Sequence, residues 1–131
     1  MEIKATTKYV RMSPTKARDL ARAITGLPVG QALQAVELNK RKAAVQLGKT
    51  LRSAIANAEN NEELSADALF VASAVVDAGP TFPRYWPHAR GSASPIRKKT
   101  SHIKIVLSDA KPAAKKRRPR NAKKQAEKPV K

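Results

Sequence analysis

Between two runs that read as β-strands, residues 69–76 and residues 102–107, lies the stretch 78–100, over twenty positions containing Gly79, Pro80, Pro83, Pro87, Gly91 and Pro95 and no acid. A structureless connection of that length is uncommon inside a compact domain. The flanking strands offer another solution, in which both continue outward and pair with each other over residues 78–100, with Gly91 near the tip. A lone two-stranded ribbon is marginal in water. Such an arm has too little core of its own and requires an outside surface to hold its shape.

The charge indicates what kind of surface. The 131 residues hold 27 Lys and Arg against 10 Asp and Glu, a net charge of +17, and self-repulsion on that scale implies an anionic partner. Residues 111–131 carry ten basic residues and one acid, Glu127, together with three prolines and a single large apolar residue, Val130. That composition cannot form a core, so the segment is predicted to be a disordered basic tail following a globular domain at 1–110. Between Asp77 and Asp109 the body has no acid, yet Arg84, Arg90, Arg97, Lys98, Lys99 and Lys104 all fall there. Cysteine is absent, which excludes disulfides, thiolate metal sites and a cysteine nucleophile. No apolar run approaches the roughly 20 residues of a membrane span. The charged start, Glu2, Lys4 and Lys8, is unlike a signal peptide, so a soluble, intracellular protein is expected.

Ile3, Ala5, Thr7 and Tyr9 alternate with polar residues, the period of a strand with one covered face. Ser13-Pro14 predicts a helix capped by Ser13, with Ala17, Leu20, Ala21 and Ile24 on its buried face and Gly26 at its end. Pro28 opens a short second helix with the stripe Val29, Ala32, Leu33 and Val36, ending near Leu38. Asn39 is expected to cap a long third helix, whose stripe of Ala44, Leu47, Leu51, Ala54, Ile55 and Ala58 has small residues suited to close packing. Residues 69–76, poor in charge, read as a central strand. Ile103, Ile105 and Leu107 face one way on the last strand. The expected fold is α+β, βαααββ: a small antiparallel three-stranded sheet against three helices, with a protruding hairpin.

Arginine and lysine suit phosphate oxygens, and Tyr85 and Trp86 offer faces for unstacked bases, so the arm reads as an RNA-binding element rather than an inert basic loop. Arg11, Lys16, Arg18 and Arg22 form a second cluster. Arg18 and Arg22, four apart on a helix, repel by a few tenths of a kcal/mol unless an anion lies between them. Lys40, Arg41, Lys42, Lys49 and Arg52 on the third helix fit either a solvated face or a phosphate contact. The tail fits an electrostatic arm for RNA grooves; residues 115–120 alone would also pass as a localisation signal. His88 and His102 have no metal or catalytic partner at a recognisable spacing; His102 suits a sheet or RNA contact. Neither an enzyme, a cofactor nor a metal site is expected. A basic architectural DNA- or RNA-binding protein is the alternative reading.

Five segments in order sharpen this: KYVRMSPTKAR at 8–18, SAIANAENN at 53–61, DAGPT at 77–81, ARGSA at 89–93 and TSHI at 100–103. Over roughly residues 3–108 the chain resembles the family of the twenty-second protein of the large ribosomal subunit. The resemblance implies a structural, non-catalytic protein of the cytoplasmic ribosome. It further implies binding to large-subunit rRNA, support of subunit assembly, and a hairpin lining the nascent-peptide exit tunnel with Ala89, Arg90, Gly91 and Ser92 at its tip. Implied partners are rRNA, neighbouring large-subunit proteins and the nascent polypeptide, with no membrane and no small-molecule substrate. The residues expected at RNA are Arg11, Lys16, Arg18, Arg22, Arg84, Tyr85, Trp86, His88, Arg90, Arg97, Lys98, Lys99 and His102. His88 stands where this family commonly has arginine, and Ser92 and Pro95 where basic residues are frequent, so this tip is less cationic than usual.

Overall fold

The computed structural model describes residues 1–110; the basic tail expected at 111–131 lies outside the described residues. The chain runs β1 (Glu2–Val10), α1 (Pro14–Ile24), α2 (Val29–Glu37), α3 (Lys42–Glu62), β2 (Phe70–Pro87) and β3 (Ala93–Ser108), with single 3₁₀ turns at Ala66–Ala68 and Ala89–Gly91. The strands form one antiparallel sheet in the order β1-β3-β2. This is the expected βαααββ arrangement, with the helices laid on one face of the sheet.

The helical stripes build the core. Ala17, Leu20, Ala21 and Ile24 of α1, Val29, Ala32 and Val36 of α2, and Ala44, Leu47, Leu51, Ala54 and Ala58 of α3 are buried with Ile3, Ala5, Val71, Val76, Ile103, Ile105 and Leu107 of the sheet. Leu33 and Ile55 pack at its margin. α3 crosses β1 and β3 and touches both other helices. Its approach to α2 is close: a Cβ at Gly48 would lie 3.2 Å from Val36 Cγ1.

Residues 69–76 do not form the central strand; β3 does, and β2 lies at an edge. The low charge of that run has a different cause. The α1–α2 connection covers the outer edge of β2, with Gly26 N–H donating to the Val71 carbonyl at 2.8 Å, Val71 N–H to Leu27 at 2.9 Å and Val29 N–H to Leu69 at 3.0 Å. Gly26 makes this turn at φ +88°, where it carries no Cβ penalty. An edge strand sealed in this way has the composition of an interior one.

Three further expectations are corrected. Tyr9 is not on the covered face of β1; it is 62% exposed and Val10 is buried instead. The register slips between Thr7 and Val10, and the bulge, with Tyr9 at φ +56°, reverses the alternation beyond it. Ser13 occupies the N-cap of α1, but its hydroxyl bonds Thr15 Oγ1 at 2.9 Å rather than a helix amide. Arg41, not Asn39, is the N-cap of α3; Asn39, two residues before it, accepts the Arg41 N–H on its Oδ1 at 3.1 Å.

The arm is the ribbon expected from its flanks. β2 and β3 pair from Thr81↔Lys99 outward to Pro87↔Ala93, and His88 N–H closes the tip on the Ser92 carbonyl at 2.9 Å. Arg90 and Gly91 turn it with φ +58° and +74°. Both strands of this ribbon are edges, so Pro83, Pro87 and Pro95 are tolerated and discourage a further strand from adding. At the root, the register slips again between Ala78 and Thr81, and the buried Thr100 hydroxyl donates to the Pro80 carbonyl. A Cβ at Gly79 would stand 2.5 Å from Thr100 Oγ1 and 3.2 Å from the His102 ring. Gly79→Ala is therefore expected to destabilise the protein by about 1–3 kcal/mol, read as a lower urea midpoint at unchanged slope.

Candidate nucleic-acid interface

The segment joining β1 to α1 forms a ridge with a cationic cleft on each side. One cleft, about 550 Å³, is lined by Arg11, Met12, Ser13, Phe82, Arg84, Arg97, Lys98, Lys99 and Thr100. The other, about 630 Å³, is lined by Arg11, Met12, Ser13, Lys16, Asp19, Arg41, Lys42 and Ala43. Arg11 borders both, so the root of the arm and the starts of α1 and α3 share one continuous basic surface. The Lys42 ammonium donates to the Arg11 carbonyl at 3.3 Å across it.

Little within the body neutralises this surface. Among the described residues the side-chain ion pairs are Lys4–Glu2 and Arg52–Glu37, and none involves Arg11, Lys16, Arg84, Arg97, Lys98 or Lys99. Neither α1 nor α3 has an acid in its first turn. Instead Lys16 sits in the first turn of α1, and Arg41 and Lys42 begin α3. Cations at the positive end of a helix dipole are each unfavourable by roughly 0.3–1 kcal/mol. An anion across the cleft reverses that sign.

The arm extends this character outward. Residues 80–99 are exposed apart from a half-buried Ile96. Residues directly opposite in an antiparallel pair share a face, so the pairings group Arg84, Trp86 and Lys98 on one face and Tyr85, Arg97 and Lys99 on the other. Each face of the ribbon thus carries cations and an aromatic ring, Tyr85 at 73% and Trp86 at 61% exposure. His88 and Arg90 are exposed at the tip with Ala89, Gly91 and Ser92.

The structure does not gather every residue singled out in the sequence. Arg18 and Arg22 line a separate cleft with Ala74, Val75, Val76 and Asp77, and Arg18 Nε donates to the Val76 carbonyl at 3.0 Å. That bond serves the edge of β2 and turns Arg18 away from Lys16. His102 Nδ1 accepts the Tyr9 N–H at 3.0 Å. Conversely, Arg41 and Lys42 belong to the central surface, although the sequence left them undivided among the third-helix cations. The signal was available: basic residues gathered at a helix start run against the dipole.

No group of three or more potential metal ligands occurs among the described residues, and no described helix is long and apolar enough to cross a membrane. These features define an α+β scaffold with an open cationic surface and a projecting ribbon. The particular family follows from comparison with known proteins. The family model described as Ribosomal protein L22p/L17e matches residues 5–108. The chain is 55% identical over 109 residues to the large ribosomal subunit protein uL22 of Akkermansia muciniphila, covering 83% of this chain and 97% of that protein. It is 54% identical over 109 residues to the uL22 of Opitutus terrae, covering 83% and 96%, and 46% identical over 111 residues to that of Clostridioides difficile, covering 85% and 100%. The chain belongs to this ribosomal protein family, and is thereby a structural protein of the large ribosomal subunit, located in the ribosome in the cytoplasm.

Proposed function

We propose that the protein binds large-subunit rRNA across the double cleft centred on Arg11, supports assembly of the subunit, and extends its hairpin to line the nascent-peptide exit tunnel. The observation that carries this reading is the convergence of Arg11, Lys16, Arg41, Lys42, Arg84, Arg97, Lys98 and Lys99 on two clefts sharing one ridge. A surface with so few internal counter-charges is complementary to phosphates. Residues 1–110 act as the rRNA-binding domain and residues 111–131 as a basic tail that settles into RNA grooves.

The two-faced ribbon supports insertion between two walls of RNA rather than docking on one. Tyr85 and Trp86 stack on bases, Arg84, Arg97, Lys98 and Lys99 hold phosphates near the root, and the Ala89–Arg90–Gly91–Ser92 tip, with His88, reaches the tunnel. Neighbouring large-subunit proteins and the nascent polypeptide are the remaining partners. Arg22 offers a secondary contact beside Arg18.

Filter binding to large-subunit rRNA across salt concentrations tests the mechanism. Affinity is expected to fall steeply with salt, the logarithmic slope growing by roughly 0.7–0.9 for each phosphate contacted. A flat response overturns the electrostatic reading. Equal or better binding to duplex DNA of the same length, in competition, favours the architectural alternative.

A further inference from the structure

We propose that His102 is the positioning residue of the interface, a pin that sets the Arg11 ridge through its Nδ1 atom while its ring lies against the root of the arm, without itself contacting RNA. The inference rests on the RNA-binding reading above and adds to it the device that aims the binding groups.

Three observations meet at this residue. His102 lies on β3, the central strand, and both neighbouring strands bulge beside it: β1 between Thr7 and Val10, β2 between Ala78 and Thr81. On the β1 side, Nδ1 accepts the Tyr9 N–H at 3.0 Å, an amide released from the regular ladder by the bulge. The Tyr9 and His102 rings meet edge to face, with centroids 4.9 Å apart. On the β2 side the far edge of the same ring, Cε1 and Nε2, lies against Gly79, where even a Cβ would come within 3.2 Å. One imidazole therefore lies between the two irregularities, holding the first by a hydrogen bond and meeting the second by contact.

Each bulge redirects a binding element. Beyond Tyr9 the inverted alternation buries Val10, Met12 N–H bonds back to the Val10 carbonyl at 2.8 Å, and Arg11 is left exposed between the two clefts. Beyond Gly79 the chain enters the arm. Tyr9 itself is at φ +56°, and without a partner for its amide the bulge would relax, because the left-handed conformation of a non-glycine residue persists only while its surroundings hold it. An acceptor at Nδ1 also fixes the tautomer, leaving the proton on Nε2.

The two ring nitrogens can be tested separately. The amide oxygen of asparagine reproduces an acceptor near the Nδ1 position, and the amide nitrogen of glutamine reproduces a donor near Nε2. His102→Asn is expected to bind large-subunit rRNA within about twofold of the natural protein, whereas His102→Gln loses several-fold to about tenfold, the scale of one backbone donor left unmade. The reverse order would mean that Nε2 touches RNA directly and would overturn the proposal, as would two variants both indistinguishable from the natural protein or both equally impaired. Independently of any variant, ¹⁵N NMR of the intact protein should show scalar coupling between the Tyr9 amide nitrogen and His102 Nδ1 across the hydrogen bond; an uncoupled, Nδ1-protonated ring overturns the pin. Arg11→Ala separates this from the RNA-binding reading: if it leaves rRNA affinity unchanged, the binding surface is wrong whichever way His102 behaves.

Discussion

Replacing Arg84, Arg97, Lys98 and Lys99 together by alanine is expected to weaken binding to large-subunit rRNA on the order of a thousandfold, at about 1 kcal/mol for each charge-assisted hydrogen bond to a phosphate that is removed. All four side chains are exposed and line or adjoin the cleft at the root of the arm. Their removal leaves the core intact, and the stability change should stay within about 0.5 kcal/mol per exposed site. The salt slope should fall by about three, since four fewer phosphates are neutralised. A control variant removing as much charge from Lys4, Lys49, Arg52 and Lys104, which lie outside both ridge clefts, is expected to weaken binding far less. Equal losses in the two variants would mean that net charge alone, rather than this surface, attracts the RNA. Filter binding at two or more salt concentrations distinguishes the cases.

Leu51→Ala is expected to be the most damaging single truncation in the body, at about 3 kcal/mol within a usual range of 2–5. Leu51 is fully buried, midway along the helix that crosses β1 and β3 and meets α1 and α2. A cavity there opens beneath every layer at once, and close-packed neighbours relax only partly. Urea titration followed by circular dichroism should show a lower midpoint with the slope preserved. Against a typical total of 5–15 kcal/mol for a domain, the variant remains folded at 25 °C with a reduced margin. A change below about 1 kcal/mol would show that α3 is not the organising element of the core.

The helices were legible because their signal is repeated: each apolar stripe states the same face several times over, and Ala17 to Ile24 or Ala44 to Ala58 leaves little choice. The arm was legible for the opposite reason, since a long acid-free run with six prolines and glycines had no other compact solution. What the sequence hid were single events. One bulge at Tyr9 inverts a strand's alternation, and nothing in Thr7-Lys8-Tyr9-Val10 announces it, because the acceptor that holds it is 93 residues away on His102. The position of β2 was hidden because its start bonds outward to Gly26, Leu27 and Val29, and a strand sealed there is as free of charge as an interior one.

The candidate site was legible as a set of cations but not as a grouping. Arg18 differs from Lys16 by two positions, yet it faces Val76 on the far side of α1. Arg41 and Lys42 join Arg11 only because α3 begins beside the β1–α1 ridge. Capping failed as a guide for a related reason. Ser13 and Asn39 stand near the right places, but their side chains bond Thr15 and the Arg41 amide, leaving helix starts without an acid to balance their cations.

On the RNA-binding reading, a ribbon without a core takes its firm shape from a polyanionic scaffold. Amide hydrogen exchange over residues 81–99 tests it directly, measured in the free protein and again with the protein assembled into the large subunit. The expected result is rapid exchange along the arm in the free protein, with protection there only after assembly, while residues 103–107 of the same strand stay protected throughout. Arm amides as slow as those of Ile103 and Ile105 in the free protein would mean that the ribbon holds its shape unaided.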